Sequence, residues 1–363
     1  MNKYLLIAFL VFCSISLTGQ YVFTNQLKLP CTSIKNQENT GTCWCFATTS
    51  FIESEILRMG QAQVDISEMY LVKQIYLDKA FNYVMRQGKA NFSQGGLAHD
   101  MLRAMDRSGM LPEEAYGGRI NSEPYNHVEL ESALKGFLDG VLKSGKPSNS
   151  WILASENILD SYLGKPKTDF SYKGKNYTAK SFSTQYGINA QDYVELTSYT
   201  HHPFYTKFIL EIPDNYSNGE FYNLPVDELM STIDNALESG YTIAWDGDVS
   251  EQGFSAMLGV AVIPDSLGTD ISRGPIIEKS ITQNTRQESF ANFSTTDDHL
   301  MHLIGKAIDQ KGNKYYIVKN SWGEIGPYKG NVYLSESYVR LKTVGILLHK
   351  SAMPKSISSK LAF

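Results

Sequence analysis

The sequence predicts an α+β protein, with a helical lobe early in the chain and an antiparallel, barrel-like sheet lobe late in it. Helix signals come first: Ser67 begins one segment, and Gly60 and Gly109 end two others. The predicted helices cover about 43–58, 67–86 and 97–108. Alternating apolar residues come last and are typical of strands. The predicted strands cover about 241–246, 299–308, 314–319, 331–335 and 343–349.

The middle of the chain interrupts this plan. Helical patterns occur at about 128–143 and 151–163, and a polar, aromatic-rich stretch follows to about 223. The predicted organisation is one domain over residues 20–350, in which an inserted, partly helical region separates the two lobes. Its boundaries are about 31–116 for the helical lobe, 117–225 for the insertion and 226–350 for the sheet lobe.

Residues 1–19 have the composition of a secretory signal peptide. Lys3 precedes the apolar run 4–12, and small residues follow up to Gly19. Cleavage there would leave Cys31, Cys43 and Cys45, an odd number that argues against a disulfide framework. We therefore expect an exported protein, periplasmic or extracellular, that carries at least one free thiol.

Charge and hydropathy exclude two classes of partner. The formal net charge is −5 and no basic stripe is present, which argues against nucleic acid binding. No other apolar run is long enough to span a bilayer, so we expect no membrane contact after signal removal.

The segment 36–46, Asn-Gln-Glu-Asn-Thr-Gly-Thr-Cys-Trp-Cys-Phe, combines a thiol with features that would make it reactive. Cys43 stands at a predicted helix start, where unpaired N–H groups and the helix dipole favour a thiolate. Gly41 lets the chain turn into that helix. Gln37, one loop upstream, can direct its amide at the oxygen of a tetrahedral intermediate, together with the N–H of Cys43.

Two late strands supply potential partners for Cys43. The strand after Asp298 starts with His299, and a second strand ends in Asn320-Ser321-Trp322-Gly323. A lone cysteine on an apolar helix is usually a small buried hydrophobe. His299 and Asn320 favour the catalytic interpretation of Cys43 instead.

These three segments, in this chain order, resemble the signatures of papain-type cysteine peptidases. The resemblance implies a papain-like two-lobed fold with the active site in the cleft between the lobes. It implies that Cys43 is the nucleophile, His299 the base and acid, and Asn320 the group that orients the imidazole. Trp322 would shield Asn320, and Asp298 would support His299.

The loop Phe92-Ser93-Gln94-Gly95-Gly96 resembles the loop that binds extended substrate in papain relatives. Gly95 and Gly96 would let a substrate backbone approach closely. The alternative is a plain turn before the next helix.

The remaining cysteines and histidines have structural explanations. Cys45 is two residues after Cys43 on a helix and should face the core. His302 is three residues after His299 on a strand and should point to the opposite face. His201-His202 has no cysteine or carboxylate at ligand spacing nearby, so we expect no metal and no cofactor.

The gap between Cys43 and His299 exceeds the papain spacing of about 130–150 residues by roughly a hundred residues. Several phrases outside the catalytic motifs resemble the bleomycin hydrolase and aminopeptidase C family. They are 158–166, Ile-Leu-Asp-Ser-Tyr-Leu-Gly-Lys-Pro; 192–194, Asp-Tyr-Val; 223–226, Asn-Leu-Pro-Val; and 240–249, Gly-Tyr-Thr-Ile-Ala-Trp-Asp-Gly-Asp-Val. The resemblance runs from about residue 30 to 350.

That resemblance implies an aminopeptidase acting on peptide substrates. The best-known members are cytosolic hexamers with their sites facing an internal chamber; this chain is shorter and has Cys45 where a small residue is usual. A homo-oligomer is therefore left open. The alternatives are an endopeptidase with an open cleft, a silent peptide-binding homologue, and an acyl transferase of the transglutaminase type, against which Asn320 counts.

The carboxyl-terminal segment 351–363 is expected to be too polar and too short to pack as another element. It would be a frayed tail in an average protein. In the family that the chain resembles, the final residues lie in the cleft and bind the substrate's amino group. We therefore expect Phe363 or its neighbours to enter the cleft.

Overall fold

The computed structural model describes residues 20–363, so the expected signal peptide, residues 1–19, lies outside the described residues. A helical lobe packs against one face of a large mixed sheet, and the cleft between them holds the predicted site. No helix within residues 20–363 is long and apolar enough to cross a membrane.

Three helices form the helical lobe close to the predicted positions: α1 (Cys43–Arg58), α2 (Glu68–Met85) and α3 (Ala98–Ser108). The Ser67 hydroxyl accepts a hydrogen bond from Tyr70 N at 3.1 Å and so begins α2. Gly109, at φ 78°, ends α3. Helix α1 is buried almost throughout because it lies between the other helices and the sheet.

The insertion contributes to both lobes. Its helices α4 (Val128–Lys143) and α5 (Ser150–Leu163) pack on α2, where Asp160 pairs with Lys73. A hairpin and a short helix follow: β2 (Asp169–Tyr172), β3 (Lys175–Thr178) and α6 (Ala179–Thr184). The aromatic-rich stretch then forms three more strands that extend the main sheet: β4 (Tyr193–Thr197), β5 (Lys207–Ile209) and β6 (Glu220–Asn223).

The sheet lobe alternates strands with helices. Its helices are α7 (Val226–Glu238), α8 (Gln283–Ala291) and α9 (Glu336–Lys342). Its strands are β7 (Ile243–Gly247), β8 (Phe254–Ser255), β9 (Val260–Ala261), β10 (His299–Asp309), β11 (Lys314–Lys319), β12 (Asn331–Ser335) and β13 (Thr343–His349). Short 3-10 turns occupy 190–192, 271–273 and 350–352.

The strand order is β5-β6-β4-β13-β7-β10-β11-β12-β9-β8. An amino-terminal strand, β1 (Phe23–Lys28), pairs with β10 outside this path. Most neighbours are antiparallel, as predicted, but β4 with β6 and β9 with β12 are parallel. The two strands that carry the predicted base and orienting group, β10 and β11, are central neighbours.

The carboxyl-terminal segment contradicts the expectation that it does not pack. Residues Lys355–Lys360 form α10, and Ile357 and Leu361 are buried in the same core cluster as side chains of α7. Lys360 Nζ donates to Glu228 Oε1 at 2.6 Å, and the Phe363 ring packs edge-on against Tyr222. The contacts of this segment thus lie on the sheet lobe, and the expectation that it enters the cleft is not met.

Candidate active site

Cys43 is the first residue of α1 and is only 8% exposed. The first hydrogen bonds of the helix are donated by Cys45 N and Phe46 N, both to Thr42 O. The N–H of Cys43 comes before these donors, so it is not used within the helix and can donate to a ligand. The Gly41 N–H donates to Gln94 Oε1 at 2.7 Å. A Cβ atom at Gly41 would lie 3.0 Å from the Gln94 side chain, so this close approach favours glycine.

The Gln37 side chain is buried and fixed at both ends. Its Nε2 donates to Thr40 O at 2.7 Å, and its Oε1 accepts from Ser321 Oγ at 2.6 Å. Its backbone N–H donates to Ser321 O at 2.8 Å. Because Nε2 carries two hydrogens, one remains for an oxyanion.

The predicted base and orienting residue are joined directly. His299 Nε2 donates to Asn320 Oδ1 at 2.7 Å, and Ser321 N donates to the same oxygen at 2.7 Å. Trp322 covers the imidazole, with ring centroids 4.6 Å apart. The arrangement leaves His299 Nδ1 as the nitrogen available to a nucleophile.

The thiol lies at the start of β10. The backbone N–H of Leu300, the residue after His299, points to the Cys43 thiol and lowers its pKa. Burial has the larger, opposite effect and raises the pKa of Cys43 to about 12. Burial also lowers the pKa of His299 to about 4, against the effect of its bond to Asn320.

These directions change the expected resting state. Burial disfavours the charged form of each group, so the neutral thiol and the neutral imidazole are the favoured forms. A thiolate–imidazolium pair has the same number of protons and forms by one proton transfer between the two residues. Cys43 and His299 therefore titrate as a unit.

Asp298 is exposed, and its Oδ1 accepts from Thr296 Oγ1 at 2.7 Å. Its neighbour Asp297 is closer to the chemistry, since its charge, with those of Asp246 and Asp214, raises the pKa of Cys43. Alternation along an extended chain explains this, because residues two apart share a face. The same alternation, read from the sequence, would have favoured Asp297, two residues before His299, as the acidic residue on the side of the active site.

The loop with Gly95 and Gly96 lies beside α1, where Trp44 Nε1 donates to Gln94 O at 2.9 Å. Lys79 Nζ donates to the carbonyl oxygens of Ser93 and Gly95. A Cβ atom at Gly95 would lie 1.7 Å from Asp214 Oδ2. Glycine is thus required there by the approach of Asp214, a residue of the insertion.

Other cysteines and histidines occupy structural positions. In the described part of the chain, Cys31, Cys43 and Cys45 are free thiols, and Cys45 is fully buried. His302 is buried and its Nδ1 bonds Ser50 Oγ at 2.8 Å.

The expectation that no carboxylate lies near His201 and His202 is wrong. Glu211 bonds His201 Nε2 at 3.1 Å and His202 Nε2 at 2.6 Å. These three side chains offer metal-ligand atoms within 4.8 Å of one another. The hydrogen bonds among them also account for the cluster.

A buried thiol at a helix start, a histidine held by an asparagine and a glutamine amide beside them are the arrangement expected of a cysteine peptidase of the papain fold. Residues 158–362 match the sequence model of the Peptidase C1-like family, and residues 23–200 match that of the papain family of cysteine proteases. The chain belongs to the Peptidase C1-like family.

Relatives support this assignment along nearly the whole chain. Aminopeptidase G of Lactobacillus delbrueckii subsp. lactis is 23% identical, and the match covers 90% of this chain and 83% of the relative. Aminopeptidase C of the same organism is 21% identical, over 90% of this chain and 81% of the relative. The resemblance to the bleomycin hydrolase and aminopeptidase C family is confirmed.

A solved structure shows the same fold. PepW from Lactobacillus rhamnosis superposes with a TM-score of 0.74 at 19% identity, covering 93% of this chain and 84% of that one. The papain-like two-lobed fold predicted from the sequence is confirmed.

Proposed function

We propose that this protein is a cysteine aminopeptidase, in which Cys43 attacks the first peptide bond of a substrate. His299 accepts the thiol proton and returns it to the leaving amine, while Asn320 holds the imidazole. The N–H of Cys43 and the amide of Gln37 stabilise the oxyanion. Water then hydrolyses the acyl-enzyme and frees one amino acid.

The close approach of Asp214 to Gly95 is the observation that carries the exopeptidase assignment. In papain relatives this loop binds the residues that precede the cleaved bond. Here Asp214 packs against Gly95 and accepts from Ser93 Oγ at 3.2 Å and from Asn91 Nδ2 at 3.2 Å. We infer that this carboxylate restricts the space that a longer substrate would need beside Gly95. The names of the relatives, aminopeptidases G and C, agree with this geometry.

The test compares a peptide that has a free amino end with its N-acetylated copy. We expect single residues to be released from the free-amine peptide and little cleavage of the acetylated one. Mass spectrometry of the products identifies the bonds that are cut. Equal cleavage of both peptides, or internal products, would establish the endopeptidase alternative.

Export and assembly complete the proposal. The composition of residues 1–19 supports a signal peptide and a periplasmic or extracellular enzyme. Family membership leaves a homo-oligomer as a further proposal, which light scattering coupled to gel filtration tests. A monomeric mass for the purified enzyme would contradict it.

A further inference from the structure

Asp246 is a buried carboxylate that the catalytic mechanism leaves without a role. It is only 5% exposed, and within residues 20–363 no N–H group or hydroxyl donates to its Oδ1 or Oδ2. A buried carboxylate without donors is costly and calls for an explanation. The nearby Glu195 differs, because His99 Nδ1 bonds its Oε2 at 2.7 Å.

The sheet places Asp246 next to the reacting atoms. Asp246 on β7 lies opposite Leu300 on β10, the residue whose N–H points to the Cys43 thiol. Ala244 and Leu300 belong to the core cluster of the helical lobe, whereas Trp245 belongs to the cluster on the other face. By alternation, Asp246 faces the helical lobe and the cleft.

A small cavity adjoins Asp246. Leu97 and Ala98, which directly follow Gly96, line it together with Leu300 and Glu195. It has room for the centre of one water-sized group, about 10 Å³. An ammonium group has that size.

A second carboxylate, Asp297, lies next to Asp246 and belongs to the loop before β10. The side chains of Asp246 and Asp297 are hydrogen-bonding neighbours and burial raises the pKa of both, so they hold a proton between them. Among the residues that the structure describes, no N–H group or hydroxyl donates to Asp297 Oδ2. Asp214, which lies against Gly95, is a third carboxylate whose charge raises the pKa of Asp297, and it is itself bonded to Ser93 and Asn91.

We propose that Asp246 and Asp297 form the subsite that binds the α-ammonium group of the substrate's first residue. The ammonium brings the N–H donors that the two carboxylates lack, and the proton held between them leaves to solvent. The α-nitrogen is two bonds, roughly 2.5 Å, from the carbonyl carbon that Cys43 attacks, so a group bound beside Leu300 fits this position.

This subsite takes the place that the carboxyl terminus was expected to fill. Because α10 anchors residues 355–360 on the sheet lobe, another group must provide the counter-charge for the amine. The inference rests on the proposed aminopeptidase function and identifies the residues behind its requirement for a free amino end.

The experiment uses three fluorogenic amides that carry the side chain best accepted by the wild-type enzyme. One has a free α-amine, the second is acetylated, and the third has hydrogen in place of the amine. Asp246→Asn and Asp297→Asn preserve side-chain shape and remove one charge each. Asp169→Asn, on an exposed strand residue, is the matched control.

We expect each cleft variant to lose on the order of 10²-fold or more in kcat/KM for the free-amine substrate, mostly through KM, because one partner of a buried charge pair is removed. The preference over the desamino substrate should fall by the same factor. Iodoacetamide should label Cys43 no more slowly than in the wild type, which shows an intact nucleophile. Asp169→Asn should behave as the wild type does.

The outcomes separate the two proposals. If the wild-type enzyme shows no preference for the free amine, the aminopeptidase function fails. If the wild type has that preference and either correctly folded variant keeps it, the ammonium subsite is overturned. Should Asp246→Asn not fold, Asp297→Asn decides alone, since Asp297 lies in the loop before β10 and not within a strand.

Discussion

At the scale of single residues, Cys43 and Gln37 have separable roles. Cys43→Ala removes the attacking atom and little volume, so we expect no peptide hydrolysis and an unchanged fold. Gln37→Ala removes one oxyanion donor and should lower kcat on the order of 10²–10³-fold. Steady-state kinetics with circular dichroism as the folding control checks both; turnover by Cys43→Ala at the wild-type rate would refute the mechanism.

Ser321 should act only through Gln37. Its hydroxyl donates to Gln37 Oε1, and both side chains are buried. Ser321→Ala should therefore lower kcat in the wild-type background and have no further effect in Gln37→Ala. Additive losses would show that Ser321 has a separate function.

The buried pair predicts an unusual pH dependence of Cys43 alkylation. The pKa of His299 is lowered to about 4, from a usual value of 6.5, so the pair takes a second proton only as the pH falls toward 4. In the wild type, the rate of iodoacetamide labelling should therefore be independent of pH above the range in which the pair takes this second proton. In His299→Ala the thiol loses its proton acceptor, and since its pKa is raised to about 12, labelling should be slow at mildly acidic pH and still rising in alkali.

The rates are measured for Cys43 by peptide mapping, with Cys31 as the internal reference for a half-buried thiol. Identical profiles in the two proteins would show that His299 is not the partner of Cys43.

At the scale of elements, α10 is the clearest difference between expectation and structure. Met353, Ile357 and Leu361 are spaced four residues apart, and all three are buried. This spacing is the helical signal that the polar composition of the segment obscured. A short amphipathic helix becomes stable only through the surface it covers, here α7.

We predict that Leu361→Ala and Ile357→Ala each lower the free energy of unfolding by about 2–5 kcal/mol, because both side chains fill the core beside α7. Ser356→Ala, at an exposed position of the same helix, should change it by no more than about 0.5 kcal/mol. Denaturant unfolding gives the values.

The ratio between the cleavage rates of the free-amine peptide and of its N-acetylated copy should be the same in these variants as in the wild type. A rise in acetylated cleavage after deletion of residues 355–363 would restore the interpretation in which the tail enters the cleft.

Strands in the insertion show why part of the fold was not predicted. The helices of the helical lobe, the insertion helices α4 and α5, and the strands β10 and β11 were placed within a few residues, whereas the sheet-lobe helices α7, α8 and α9 were not predicted. Strands β5 and β6 are three and four residues long, and β4 is buried at every position, so none alternates clearly over a useful length. Their conformation depends on pairing with β13 and with one another, which is tertiary information.

The site was predicted where chemistry requires particular residue types at particular places in the chain. Gln37, Cys43, His299 and Asn320 lie around one cleft as expected. Asp214 and Asp246 could not be found this way, because their importance depends on which backbone atoms they approach after folding.

At the scale of the whole molecule, export gives a further test. Tyr21 is buried against Phe23 and Tyr315, and β1 begins at Phe23. Cleavage after Gly19 would leave all of this packing in place. We predict that the enzyme expressed with its own first residues in a secreting host has a mature amino terminus near Gln20, as read by intact mass and terminal sequencing. Retention of residues 1–19 in the exported protein would contradict the signal peptide.

The position of α10 has a consequence for how the enzyme is restrained. A peptidase whose selectivity resides in a loose chain end can lose it when that end is nicked or when a fusion partner is attached there. In this protein α10 packs on the sheet lobe. The residues proposed to set the selectivity, Asp214, Asp246 and Asp297, lie far from both chain ends in the sequence. Loss of residues 355–363 should therefore lower the stability of the enzyme and leave its requirement for a free amine unchanged.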